Sequence, residues 1–162
     1  MSALAGDPRE LAVAVRDLLE AYAEAIDDDR LEEWPSFFAK RCLYQVVPRE
    51  NHDRGLPMPI FYCDTPGMLR DRVVALRKAN IYPPHVTRHL LSSVRVKGIA
   101  DGVVSAQSSY AVLETRLGDN PMVSSAGRYL DQIVFEDGAL KFREKTVVCD
   151  NFRVTTLLVT PI

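Results

Sequence analysis

The feature that most constrains this chain is a change of hydrophobic period near its middle. Before Pro83-Pro84 apolar side chains recur every three or four positions, and beyond it they recur every two. A period of 3.6 belongs to an amphipathic helix and a period of two to a strand with one covered face. Helices first and strands afterwards predict a segregated α+β domain, because a parallel α/β sheet needs the two to alternate.

The helical part reads as three segments. In Asp7-Pro8-Arg9-Glu10, Asp7 is placed to cap, Pro8 takes the first helical position, and Glu10 stands at capping-box spacing. Leu11, Val15, Leu18, Leu19, Tyr22 and Ile26 then form one apolar face, and the helix should stop near Asp27-Asp28-Asp29, where negative charge opposes the helix dipole. Asp29 and Glu32 predict a second, short helix carrying Leu31, Trp34, Phe37 and Phe38, bent by Pro35. Thr65-Pro66 opens a third, with Met68, Leu69, Arg72, Val73 and Leu76 on one side as far as Asn80.

Between the second and third helices, Cys42 to Val47 reads as a first strand, Pro48 to Pro59 as a loop, and Ile60 to Cys63 as a brief edge strand. Turn signals at Asp101-Gly102, Gly118-Asp119-Asn120-Pro121 and Asp137-Gly138 divide the second half into four long strands, a meander of hairpins. A curved sheet wrapped around the long helix, closing into a cone with a pocket, is the simplest packing. At 162 residues the chain suits a single domain spanning 1–162.

Function classes can be excluded from what the chain lacks. Its net charge is −2 with basic and acidic residues interspersed, so no stripe tracks a phosphate backbone and nucleic acid is not an expected partner. The longest early apolar run, Leu11 to Val15, is too short for a signal peptide or a bilayer span, so a cytoplasmic location is expected and a membrane is not. Cys42, Cys63 and Cys149 are an odd, scattered set in apolar surroundings and read as reduced core thiols. There is no Gly-rich phosphate loop, no G-x-S-x-G and no C-x-x-C.

Iron chemistry needs donors this chain does not group. A Rieske centre takes two cysteines and two histidines in C-x-H and C-x-x-H pairs, and no cysteine here has a histidine two or three positions later. A mononuclear site needs two histidines and a carboxylate on one face, and only His52, His85 and His89 are available. On a strand His85 and His89 share a face but stand roughly 13 Å apart at ~3.3 Å per residue, too far for one metal. They read as hydrogen-bonded structural histidines, His52 as part of a solvated loop cluster, and the acidic triplet at 27–29 as a helix terminus with a cap. For acid–base chemistry in a cone pocket, Tyr22, Tyr44, Tyr110, His89 and Asp131 are the candidates. The plainer reading is that the tyrosines reach partners at the core rim and Asp131 pairs with a neighbouring basic residue. Trp34, the basic positions Arg49, Arg72, Arg88 and Arg128, and the polar strand faces around Ser105, Gln107 and Ser109 suit a protein interface, where Trp, Tyr and Arg serve as anchors.

The segments Leu31-Glu32-Glu33-Trp34-Pro35-Ser36-Phe37-Phe38, Tyr44 to Glu50, Met68-Leu69-Arg70-Asp71-Arg72-Val73, Arg88-His89, Gly127-Arg128-Tyr129 and Val147-Val148-Cys149-Asp150 resemble the beta subunits of bacterial aromatic-ring-hydroxylating dioxygenases over nearly the whole chain. They look closest to small subunits of oxygenases acting on carboxylated aromatics, such as salicylate 5-hydroxylase, terephthalate dioxygenase and anthranilate dioxygenase. The resemblance implies a nuclear transport factor 2-like cone, of the cystatin-like and SnoaL-like kind. It implies a structural subunit with no activity of its own, self-associated as a homotrimer and joined to three alpha subunits in a hetero-hexamer. The Rieske iron-sulfur cluster and mononuclear iron are expected in the alpha subunit and no cofactor in this chain, with electrons arriving from NAD(P)H through a reductase. Trp34, Arg49, Arg72, Arg88, His89 and Arg128 fall at family-like positions and are expected to be structural or interface residues. The alternatives are a free-standing cone-fold lyase or isomerase and a small-molecule-binding module.

Overall fold

The structure, a computed structural model, describes residues 7–56, 58–79, 84–150 and 160–162. Helix α1 runs Pro8–Asp27, and the Asp7 side chain accepts from the Arg9 N–H at 2.8 Å. Asp7 and Pro8 therefore do what the sequence predicts. Val15, Leu19, Tyr22 and Ile26 are buried, while Leu11 and Leu18 pack partly covered against the same core. The helix ends in a Schellman turn: Arg30 N–H reaches Ala25 O and Asp29 N–H reaches Ile26 O, with Asp29 at φ 57 in the left-handed position usually taken by glycine.

That turn corrects the second predicted helix. Asp29 and Glu32 form no capping box; both carboxylates bind Arg77 of a later helix, at 2.8 Å each. What remains is one 3₁₀ turn, Trp34–Phe37, in which Pro35 helps start the turn rather than bending a longer helix. Phe38 already belongs to strand β1, which spans Phe38–Pro48 and begins four residues before its predicted start. The predicted loop that follows holds a short helix α2, Arg49–Asp53. Strand β2, Phe61–Cys63, is the expected edge strand. Helix α3, Pro66–Lys78, is capped by the Thr65 hydroxyl, which accepts from Met68 N–H at 3.2 Å. Its predicted end at Asn80 and the break at Pro83 lie outside the described residues.

Strands β3 (His85–Ala100), β4 (Val103–Arg116), β5 (Met122–Glu136) and β6 (Ala139–Cys149) follow the three turn signals. Asp101-Gly102 and Asp137-Gly138 each have two successive positive φ values, the backbone of two-residue turns whose twist suits a hairpin. The sheet order is β2-β1-β6-β5-β4-β3. All neighbours are antiparallel except β1 and β6, which pair in parallel from Phe38↔Phe142 to Pro48↔Cys149. The sheet is thus mixed, where the meander predicted an antiparallel one.

Register shifts in β3 near Ser92–Arg95, between β4 and β5, and between β5 and β6 bend the strands, and α1 packs along β3 and β6 on the covered face. Residues of that face alternate along β4 as Val104, Ala106, Ser108, Tyr110 and Val112. Ser105, Gln107 and Ser109 share the opposite, half-covered face, where the Ser105 hydroxyl donates to Gln132 at 3.0 Å. Gly127 is obligatory in β5: a Cβ there would stand 2.0 Å from the Val148 carbonyl oxygen.

Candidate functional site

The inside of the cone is where the polar candidates gather. Tyr22 comes from α1, Tyr44 from β1, Tyr110 from β4 and Tyr129 from β5, and all four are buried. The register explains the contact of the last two: Ser108 faces Tyr129 and Tyr110 faces Gly127, so the two tyrosines are diagonal neighbours and their rings stack at 4.5 Å, 5° from parallel. Tyr22 and Tyr44 hydroxyls donate to the main-chain oxygen of Ile162 at 3.1 and 3.0 Å, and the Tyr44 oxygen accepts from the Ile162 N–H at 3.0 Å. The Tyr110 and Ser125 hydroxyls are 2.9 Å apart. The Tyr129 hydroxyl has no hydrogen-bond partner among the described residues. Burial raises all four phenols above their ordinary value, so each is a neutral donor near neutral pH. Trp34 closes the aromatic floor, edge-on to Phe38 at 5.7 Å and to Tyr44 at 5.1 Å.

Asp131 meets the predicted basic partner, and it is Lys145 on β6, directly opposite in register. Nζ donates to Oδ1 at 3.1 Å, and both side chains are fully buried. The ammonium lies 3.6 Å from the Tyr129 ring centre, 4.7 Å from Tyr22 and 4.5 Å from Phe142. Burial pushes Asp131 up and Lys145 down, and the attraction between them opposes both shifts. Nothing in the sequence singled out Lys145; a lysine at the same two-residue spacing as the apolar Val147 and Cys149 was the available signal.

The second internal pair joins α1 to β3. His89 Nδ1 and Asp27 Oδ1 are 2.6 Å apart with both side chains almost wholly covered, and Asp27 also accepts from the His89 N–H at 2.7 Å and the Thr87 hydroxyl at 3.1 Å. Burial raises the Asp27 carboxyl, but the His89 ring and backbone hydrogen bonds, the His89 charge and Thr87 outweigh it and hold it below its ordinary value. An ionised carboxylate only accepts, so Nδ1 carries the proton and Nε2 faces the interior, with no partner among the described residues. In the sequence Asp27 stands only as part of a helix terminus. Its role depends on β3 lying across the end of α1, which no local pattern encodes.

The remaining candidates scatter. Arg49 is exposed and pairs with Asp53 and Asp150; Arg128, half-buried, reaches the same Asp53 at 3.6 Å. Arg88 is exposed on β3. Arg72 is half-covered, its guanidinium 4.4 Å over the Phe61 ring, beside a cleft of about 170 Å³ lined by Ile60 to Cys63. Trp34 and His89 lie inside the chain. The three cysteines are buried and form no disulfide among the described residues, and burial raises Cys63 to about 11. His52 sits on α2, His85 and His89 on β3, and no group of three His, Cys, Asp or Glu among the described residues is placed to hold a metal. This donor set fits neither a Rieske cluster nor a mononuclear iron.

A mixed sheet curled over a long helix, with its polar groups turned inward, defines an α+β cone. At fold level the chain is similar to a naphthalene 1,2-dioxygenase chain (TM-score 0.77, 17% identity, 98% of this chain and 89% of that one) and to a scytalone dehydratase-like protein from Novosphingobium aromaticivorans (0.65, 15%, 84% and 81%). Sequence narrows the class. The chain is 44% identical over 145 residues to the anthranilate 1,2-dioxygenase small subunit of Burkholderia cepacia, covering 90% of each, and 39% identical over 142 residues to a terephthalate 1,2-dioxygenase beta subunit of Comamonas sp, covering 88% and 92%. A structure described as the beta subunit of an aromatic-ring-hydroxylating dioxygenase from Novosphingobium aromaticivorans superposes with TM-score 0.87 at 44% identity, over 95% and 98% of the two chains. The model of the family "Ring hydroxylating beta subunit" matches residues 21–156. The chain belongs to that family and is the small subunit of an aromatic-ring-hydroxylating dioxygenase.

Proposed function

We propose that this chain is the non-catalytic member of the terminal oxygenase component, a cytoplasmic scaffold that associates as a trimer and supports three alpha subunits. The observation that carries this reading is the internal commitment of its polar groups: Asp131 to Lys145, Asp27 to His89, and Tyr22 and Tyr44 to Ile162. Side chains held this way fix the fold and are not free to bind iron. The Rieske cluster and mononuclear iron belong, in this reading, to the alpha subunit, whose chemistry oxidises the aromatic compound with electrons from NAD(P)H.

The exposed and half-exposed arginines Arg49, Arg88 and Arg128 are proposed to contact the neighbouring subunits, while Trp34, Arg72 and His89 hold the cone that presents them. A ring-closing trimer needs two different, complementary surfaces on each copy. Co-expression with the large oxygenase subunit tests the proposal: the two should co-elute in equal amounts as a hexamer, with iron following the large subunit. A small subunit that never co-elutes, or that oxidises an aromatic ring when purified alone, would overturn it.

A lyase or isomerase activity is favoured by one observation, the inward-facing Nε2 of a carboxylate-oriented histidine. It requires metal-independent turnover that falls in His89→Ala. Equal turnover in His89→Ala and the natural chain would remove it.

A further inference from the structure

Two exposed surfaces of this chain complement each other and cannot meet within one copy. On β3, Leu91, Val94 and Val96 pack against the core, so the residues between them and their alternates earlier in the strand face outward. Val86 and Leu90 stand there 65% and 52% exposed, on either side of the exposed Arg88. Arg95 and Lys97 continue the same face, and β3 contains no Asp or Glu. Arg88, Arg95 and Lys97 form no ion pair among the described residues. The outward side of α1 has the opposite character. Glu10, Asp17 and Glu24 recur every seven residues, with Val13 and Glu20 between them, so all five share one helix face. Val13 and Ala14 floor a shallow groove of about 320 Å³ that Glu10 and Asp17 rim, with Arg9 beside them. Helix α1 packs its other side on β3 and β6, on the covered face of the sheet, whereas the β3 cations lie on the opposite face. An exposed charge needs no partner in water, but signs sorted by surface and set among exposed apolar groups are the make-up of complementary interfaces.

We propose that the outer face of β3 in one copy docks on the α1 groove of a second copy, and that this contact builds the trimer. Val86 and Leu90 would cover Val13 and Ala14, while Arg88, Arg95 and Lys97 would meet the carboxylates of Asp17, Glu20 and their neighbours on α1. The two rows match in length: Arg88 to Arg95 and Glu10 to Glu24 each span roughly 20 Å, at ~3.3 Å per strand residue and ~1.5 Å per helix residue. Because the two surfaces differ, the contact is heterologous, the kind a three-membered ring requires. This inference rests on the trimeric scaffold proposed above and names the surfaces that assemble it.

The sample is the small subunit co-expressed with the large one, its mass read by size-exclusion chromatography with light scattering. The natural pair should elute as a hexamer. Arg88→Glu with Arg95→Glu, and separately Asp17→Lys with Glu20→Lys, should each raise the concentration needed for assembly about tenfold or more, because like charges then face each other. All four changes in one chain exchange the signs and should restore the hexamer. A hexamer indifferent to both reversed pairs would overturn this inference and leave the scaffold reading standing, as would a fourfold variant that fails to reassemble. Small subunits that stay trimeric but lose the large subunit would assign the surface to that partner and overturn it too. A natural small subunit that neither self-associates nor co-elutes with the large one would overturn both readings. Where circular dichroism shows a reversed chain unfolded, Arg88→Gln with Arg95→Gln decides instead: assembly as strong as the natural chain's would count against the inference.

Discussion

At the scale of single residues, the interior of this protein is held by groups that are costly to bury singly and tolerable in pairs. Lys145→Met leaves the Asp131 carboxylate uncompensated, and breaking a buried pair in this way costs about 3–5 kcal/mol. The double change Asp131→Leu with Lys145→Met removes both charges, so urea denaturation should show most of that loss recovered. Asp27 predicts a pH signature. Its folded-state carboxyl is held below its ordinary value, so its contribution is complete above about pH 4, where the unfolded carboxyl is also ionised, and is lost as pH falls through the lower folded value. Asp27→Asn should therefore be about 1–3 kcal/mol less stable than the natural chain at pH 7. Denaturation midpoints of the two should converge as the pH drops below about 4.

At the scale of elements, caps and close approaches decide where segments start and how tightly they meet. The Thr65 hydroxyl satisfies an N–H that α3 cannot satisfy itself, so Thr65→Ala should cost about 1 kcal/mol, read from the thermal midpoint. Gly127→Ala is more severe, because the added methyl overlaps the backbone of β6 and neither strand can retreat without breaking its ladder. A loss of about 3 kcal/mol or more is expected, visible as a lowered urea midpoint. The segment after α1 shows how a local signal can be read correctly as chemistry and wrongly as structure. Asp29 and Glu32 are carboxylates looking for N–H donors, and Arg77 outcompetes the nearby backbone because a guanidinium offers both of them charge-assisted bonds.

At the scale of the whole molecule, the parallel pairing of β1 with β6 ties the first and last strands among the described residues and brings the helical half over the meander. Strands β5 and β6 are flanked on both sides, whereas β2 and β3 are edges. Amide hydrogen exchange should accordingly be slowest in the centres of β5 and β6 and fastest in β2, since an edge opens without global unfolding. The scattered donor set carries its own expectation: a chelator should leave the thermal midpoint of the isolated chain unchanged and should act only on the complex with the large subunit.

The sequence alone determined everything that a short stretch of chain can encode. The cap at Asp7, the helix faces of α1 and α3, and the positive-φ turns at Asp101-Gly102 and Asp137-Gly138 all rest on local sterics, local hydrogen bonding or spacing. The ordered motifs added the family. Only the tertiary structure decided the partners of Asp27, Asp131, Tyr22 and Tyr44, because each meets a group from another element across the cone. Burial makes those meetings compulsory: a polar atom removed from water must bond to whatever the fold brings within reach, and that depends on how α1 and the curved sheet close around one interior.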